Sequence, residues 1–305
     1  MLISVHFYKN SINTLSSKRG GKFKMQCIVT HRGHRILWWI LFGYLCMYTT
    51  CSRDVKGPEI NNRYSKPYLE IEEIRNNKPV DFVTLKSIYT ENLADFIQTN
   101  DLESHIRIQE ELREGLKRNN THIQSQIVSK TIQKVFFNQL SDALIHAAKF
   151  TKDSDYKSKI AFVEESYKIL RPTVLRRSEW IGKGNELDYI CLHQIKILNA
   201  AKNGTAKEFV NAKNSLLKYL TYAYVLSIFY EFDGIEKNRG KDHKICEEKA
   251  VEARIFFEII KDYAKSITLK GLSEAALSLK YTDMDIESMR RLISETFVTK
   301  IPKIP

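Results

Sequence analysis

Proline is missing from two long parts of this chain and glycine is scarce in the whole of it, and this limits its folds more than any other feature. No proline lies between Pro79 and Pro172, where the single glycine is Gly115, and residues 173–301 contain no proline. Sheets need many tight turns, and tight turns draw on these two residues. Apolar side chains recur at helical spacing in both stretches, and alternation of apolar and polar residues is nowhere sustained. The sequence therefore predicts an all-α protein.

The predicted architecture is a multi-helix bundle of about seven to nine helices arranged as antiparallel hairpins. We expect Asp242 to cap the start of one helix. Arg171 and Pro172 are expected to end another helix, and the pair Asp233 and Gly234 a third. Residues 206–232 form the most apolar predicted helix, which should lie at the centre of the bundle.

The chain divides into three predicted parts. Residues 1–51 form a basic region followed by a signal peptide or membrane anchor. Residues 52–79 are predicted to form a linker with a short helix, because they contain prolines and asparagines and show little helical periodicity. Residues 80–305 form a single all-helical domain.

Residues 36–51 are apolar and uncharged, and Arg32 and Arg35 precede them. A basic flank before an apolar run is the pattern of a secretory signal. The run has 16 residues, and a spanning helix needs about 20. It therefore predicts either a cleaved signal or a short anchor, and the protein begins at Met1 or at Met25. Positive charge ahead of the run places the domain outside the cytoplasm, at the membrane or secreted.

Positive charge is concentrated ahead of this apolar run. The net charge is +12, and residues 1–35 carry seven basic residues and no acidic one. Residues 36–51 are uncharged, so only five net charges remain for the rest of the chain. A nucleic-acid-binding domain usually has a dense basic stripe. The scattered basic pairs here are typical of a solvated surface, and the sequence argues against a nucleic-acid partner.

Three cysteines are candidates for modification or pairing. Cys51 closes the apolar run and resembles, in that placement, the cysteine that is lipidated in bacterial lipoproteins; it is the lipidation candidate. Cys191 and Cys246 are the only cysteines C-terminal to it. They either form one disulfide in an oxidising compartment or remain two buried thiols.

Metal binding is the first chemical function to consider for a helical bundle. Carboxylate di-iron bundles use Glu-x-x-His pairs, and no histidine of the domain has glutamate three residues before it. A weaker set of acidic and histidine residues could still converge on a cation. Its members are Asp142, His146, Glu164, Glu231, Glu248 and Glu252. Glu231 stands out because an ionisable group beside a wholly apolar stretch is costly unless it is paired.

Two functional hypotheses follow. The first is a membrane-tethered or exported helical binding or scaffold domain with a protein partner and no catalysis of its own. It rests on residues 36–51 and on the lack of a Gly-x-Ser-x-Gly nucleophile motif or a phosphate-binding glycine loop. The second is a metal- or cofactor-binding bundle that serves iron or electron transfer. The sequence names no cofactor beyond a metal ion.

Overall fold

The computed structural model describes residues 62–117, 122–147, 154–201 and 206–297. Within these ranges the helical periodicity of the sequence corresponds to eleven α-helices. The helices are α1 (Ser65–Asn76), α2 (Phe82–Asn92), α3 (Ala94–Asn100), α4 (Leu102–Lys117), α5 (His122–Ala147), α6 (Ser154–Trp180), α7 (Glu186–Ala200), α8 (Ala206–Asn238), α9 (His243–Ile260), α10 (Ile267–Leu277) and α11 (Ile286–Thr296). Short 3₁₀ turns occupy Lys261–Tyr263 and Tyr281–Asp283, and these residue ranges contain no strand. The all-α prediction is confirmed.

Short polar side chains begin several helices by accepting hydrogen bonds from free backbone N–H groups. Asp242 accepts from the backbone nitrogen of Ile245 at 3.0 Å and caps α9 as predicted. Asp81 and Asp285 cap α2 and α11 in the same way. The first helix differs, because no side chain of its own caps it.

The missing cap of α1 comes from another helix. Glu165 of α6 accepts hydrogen bonds from the backbone nitrogens of Tyr64 and Ser65, at 2.9 and 2.8 Å. Tyr68, Ile71, Glu72 and Arg75 share one face of α1 and are buried. These contacts make α1 part of the bundle core.

The core is built around α5 and α8. Helix α8 packs against α6, α7, α9 and α11, and α5 packs against α1, α4, α6 and α9. Tyr224, Ile228 and Phe232 of α8 are fully buried. This agrees with the central position that its apolar sequence predicts. Helix α5 is buried on all sides between residues 125 and 133 although six of those nine residues are polar.

Two predicted helix ends are wrong. Helix α6 continues through Pro172 to Trp180, because Arg171 on one side bonds Asp188 of α7 and Thr173 on the other bonds Gln133 of α5. Helix α8 continues through Gly234 to Asn238. A Cβ at position 234 would lie 2.9 Å from Cδ of Lys249, so this glycine lets α9 approach closely.

The apolar residues of 81–98 recur at the spacing of one continuous helix, but the structure has two helices there, and Leu93 lies between α2 and α3. Leu93 is fully buried, and no proline or glycine marks the break.

The basic region, the apolar run 36–51, Cys51 and both candidate start residues lie outside the described residues. Within the described ranges, none of the helices combines the length and the apolar character that crossing a bilayer requires.

Candidate functional site

A network of eight charged side chains lies between five helices, α1, α5, α6, α8 and α9, and six of the eight are buried. Ionisable residues are seldom buried, and each one needs a partner to offset its lost hydration. We call this set the charged network. Its members are Glu72, Arg75, Lys130, Arg176, Arg177, Glu231, Lys249 and Glu252.

Glu72 of α1 lies at one side of the network and holds three partners. Its Oε2 atom is 2.8 Å from Nη2 of Arg75 and 3.4 Å from Nη1 of Arg176, and Ser129 donates to its Oε1. Burial alone would raise the pKa of Glu72, but the neighbouring cations, Lys130 first among them, hold it well below its usual range. Glu72 is therefore ionised and joins α1, α5 and α6.

Uncharged hydrogen bonds extend the network toward the core. The amide nitrogen of Gln133 donates to the hydroxyl of Tyr68 at 2.5 Å. The amide oxygen of Gln133 accepts from the hydroxyls of Tyr224, at 2.9 Å, and Thr173, at 3.1 Å. One glutamine thus links α1, α5, α6 and α8, and these four side chains are buried and hydrogen-bonded to one another.

Lys249 of α9 lies at the other side of the network and contacts two carboxylates. Its Nζ atom lies 2.7 Å from Oε2 of Glu231 and 3.4 Å from Oε1 of Glu252. At 2.7 Å the contact with Glu231 is an ion pair. Burial and the nearby Glu252 carboxylate raise the pKa of Glu231 to about 7. The sequence singled out Glu231 as costly unless paired, and Lys249 is that partner.

Two further cations lie between these groups. Lys130 of α5 is 3% exposed, and its Nζ atom is 5.2 Å from the ring centre of Phe256. Burial and the neighbouring Arg75 lower the pKa of Lys130 to about 7. Arg177 lies 4.0 Å over the ring of Tyr230, in cation–π geometry. The network therefore concentrates positive charge from α1, α5, α6 and α9.

The predicted metal set is not assembled. Glu231 and Glu252 approach each other, but the ammonium of Lys249 lies between them. The rest of the set lies elsewhere: Glu164 accepts a hydrogen bond from Asn199, Glu248 is half-buried on α9, and Asp142 and His146 are exposed in a surface groove beside Lys159. In the part of the chain that the structure describes, no three His, Cys, Asp or Glu side chains are grouped to hold an ion.

Cys191 and Cys246 are both free and buried, on α7 and α9. Burial raises the pKa of the Cys191 thiol to about 12, and the thiol of Cys246 points to the carbonyl of Ile235 at 3.7 Å. The structure has no disulfide between them, which leaves the alternative of two buried thiols.

The outer surface of α10 is a second feature of interest, and we call it the α10 face. It consists of Ile267, Gly271, Leu272 and Ala275 of the helix and of Leu279, two residues beyond its end. All five are exposed, and Ile267 is 90% exposed. The two charged residues of the helix form ion pairs with residues outside it, Lys270 with Asp262 at 2.6 Å and Glu274 with Lys261 at 3.7 Å. The α10 face itself contains no charged residue.

Sequence reasoning missed most of the charged network. The polar stripe of α5, Ser125, Gln126, Ser129 and Gln133, looks like a solvated face opposite an apolar one. A signal was available, because surface stripes of helices are rich in charge and this one has only Lys130 and Lys134 between residues 122 and 138.

Comparison with known proteins finds no match to this chain among protein-family models, curated proteins or solved structures.

Proposed function

We propose that the protein is a non-catalytic helical binding domain that residues 36–51 tether to a membrane or direct out of the cytoplasm. The basic residues ahead of that run support the orientation, with the domain outside. The domain is proposed to act on a protein partner, at the cell surface, in the periplasm or after secretion.

The observation that carries this proposal is the α10 face. Ile267 is 90% exposed, Leu272 53% and Leu279 44%. Isolated exposed apolar residues are ordinary, but a contiguous uncharged group of them marks an interaction surface. This one stands out in a chain that is 28% charged.

The shape of the α10 face favours an apolar helix of a protein partner as its occupant. Gly271 and Ala275 lie at its middle, and a Cβ at position 271 would meet no atom within 4 Å. Small residues allow another backbone to come close. Ile267, Leu272 and Leu279 surround them and can supply apolar anchors. Because the face has no basic residue, it offers nothing to an anionic lipid surface.

Site-specific cross-linking of the full chain in its own cells tests the proposal. A photoreactive residue in place of Leu272 is expected to form a protein adduct. Ile267→Glu should abolish that adduct, because the carboxylate cannot be buried against an apolar partner. Val83→Glu is the matched control, since Val83 is 70% exposed on α2, away from α10.

The same adduct in wild type and in Ile267→Glu would contradict a role for the α10 face. The location is tested separately with protease added to intact cells, which should digest the domain. Full protection of the domain in intact cells would contradict its placement outside the cytoplasm.

A further inference from the structure

A groove of about 510 Å³ lies at one end of the α10 face, between α9 and the turn that follows α10, and we call it the α9 groove. One wall is a single face of α9, since its residues recur at helical spacing. They are His243, Glu247, Ala250, Val251 and Arg254. The opposite wall consists of Leu279, Lys280, Tyr281 and Thr282. Leu279 belongs to the α10 face as well, so the two surfaces are continuous.

The wall formed by residues 279–282 is held in place by Arg239 of α8. The Nη2 atom of Arg239 donates to the carbonyl oxygens of Tyr281 and Met284, each at 2.8 Å. The ring centre of Tyr281 lies 5.1 Å from that of His243 on the α9 wall. These contacts tie the turn to α8 and α9, so the α9 groove is already formed in the free chain.

Arg254 supplies the α9 groove with unused hydrogen-bond donors. Its Nε atom donates to the carbonyl of Leu277, the last residue of α10, at 3.1 Å. This bond satisfies a free carbonyl at the helix end and holds the guanidinium there. The side chain is partly buried, and its two Nη atoms donate to no acceptor among the described residues. Such a guanidinium can bind a carboxylate through two parallel hydrogen bonds.

The charges around the α9 groove favour an acidic ligand. Lys280 is exposed, and in the part of the chain that the structure describes neither Lys280 nor Arg254 has a carboxylate within ion-pair distance. Two carboxylates lie nearby, and both have contacts of their own. Glu247 lies 3.6 Å from His243, and Asp283 accepts a hydrogen bond from the hydroxyl of the preceding residue at 3.1 Å. Arg254 and Lys280 therefore remain for a ligand.

We propose that the protein partner of the α10 face carries an acidic side chain that binds in the α9 groove, to Arg254 and Lys280. This site rests on the proposed function, because the apolar helix of the partner brings the carboxylate to the groove. Helix α10 has 11 residues and is about 16 Å long. The partner helix should be apolar over about three turns and acidic at the end that meets Leu279. A carboxylate at one end only also fixes the direction in which the partner lies.

An acidic lipid surface is the alternative ligand for exposed apolar residues beside basic ones. Segments that bind such surfaces usually contain roughly four to eight Lys and Arg residues. The α9 groove has Arg254 and Lys280, and Arg254 is partly buried between α9 and α10. This arrangement suits a single carboxylate that enters the groove better than a plane of head groups.

Photo-cross-linking of the full chain in its own cells tests the site with two probe positions. One photoreactive residue replaces Leu272 on the α10 face, and in a second variant one replaces Thr282 in the α9 groove. Both should form an adduct with the same protein. Lys280→Glu should reduce the adduct at Leu272 several-fold, because two carboxylates would then face each other.

Two further variants show whether charge is the cause. Lys280→Arg keeps the charge and should retain the adduct at Leu272. Lys86→Glu is the matched control, since it reverses the charge of an exposed lysine on α2. It should leave the adduct at the wild-type level. Once the adduct at Thr282 identifies the partner segment, exchange of its acidic residue for lysine should restore the adduct in Lys280→Glu.

Failure of the acidic contact can be distinguished from failure of the proposed function. No adduct at Leu272 contradicts the proposed function, and the acidic contact falls with it. A protein adduct at Leu272 that Lys280→Glu leaves unchanged overturns the acidic contact alone. A Thr282 adduct with lipid only, or with a protein segment that has no acidic residue beside the adduct, also overturns it.

Discussion

The ammonium of Lys249 lies 2.7 Å from the carboxylate of Glu231 and joins α9 to α8 inside the charged network. Lys249→Met would leave Glu231 facing Glu252 without a cation between them. Breaking a buried pair by removing one partner costs about 3–5 kcal/mol. Because Lys249 is a quarter exposed, solvent reduces the expected loss to about 1–3 kcal/mol at pH 8. Urea denaturation measures it.

The loss from Lys249→Met should be smaller at pH 5, where Glu231 holds a proton and needs no cation. Lys244→Met, an exposed substitution on the same helix, serves as control and should change stability little at either pH. An equal loss at both pH values for Lys249→Met would contradict the assignment of the raised pKa to Glu231.

Glu231 also gives stability a pH dependence of unusual sign. Its pKa is raised from an ordinary 4.5 to about 7. Between those values the folded state holds a proton that the unfolded state has released, so the contribution of Glu231 to the free energy of unfolding falls as pH rises from 4.5 to 7. Glu231→Gln should remove this contribution and change the slope of stability against pH. Glu236→Gln, on an exposed side chain of the same helix, should keep the wild-type slope, and a wild-type slope in Glu231→Gln would contradict the contribution of Glu231.

Lys130 predicts the opposite slope at higher pH. Its pKa is lowered from an ordinary 10.5 to about 7. Between 7 and 10.5 the unfolded state binds a proton that the folded state lacks, so this residue makes stability rise with pH. Chemical denaturation from pH 7 to 9 should show a smaller rise in Lys130→Met than in Lys134→Met. Identical slopes in the two variants would refute this contribution of Lys130.

Gly115 of α4 lies against the ring of Phe82, and a methyl group at position 115 would overlap that ring. Gly115→Ala gains helix propensity of about 1 kcal/mol but overpacks a buried contact, which typically costs about 1–3 kcal/mol. We expect a net loss of stability. Gly271→Ala is the comparison, because that position is open and the change should stabilise the helix. Thermal melting that ranks Gly115→Ala above wild type would contradict this packing.

Glu165 is expected to govern how readily α1 opens. Glu165→Ala removes both hydrogen bonds to the start of α1, with an expected cost of about 1–2 kcal/mol. Glu165→Gln keeps an acceptor and should cost less. Hydrogen exchange should speed up in α1 and not in α9. Equal acceleration in both helices would indicate a general loss of stability instead of local opening.

The local chemistry of the sequence is sufficient for the helical class of the fold and for the start of α9. Asp242 predicts the start of α9 because its side chain satisfies the backbone of its own first turn. Pro172 and Gly234 wrongly predict helix ends, because whether a helix continues past them depends on residues that are distant in the sequence. Asp188 and Gln133 hold α6 on either side of Pro172, and the position of Lys249 explains Gly234.

Most members of the charged network could not be predicted from the sequence, for a related physical reason. The burial of Glu72 or Arg176 depends on which helix covers it, and apolar periodicity identifies only the apolar face of a helix. Glu231 could be singled out because the stretch that precedes it, residues 219–230, contains no charged residue. Lys130 could have been found by the low charge of its polar stripe, which is a property of the whole helix and not of one residue.

The cap that Glu165 provides has a mechanical consequence. Helix α1 is the first described helix after the apolar run 36–51, so a pull on the N-terminal side of the chain acts first on Asn62, which accepts a hydrogen bond from Lys168, and then on Tyr64 and Ser65. Their two hydrogen bonds to Glu165 would yield early, since the helix has no cap of its own. Peeling α1 away would carry Glu72 and Arg75 out of the charged network. The first helix therefore couples tension on the N-terminal chain to the ionic balance of the core.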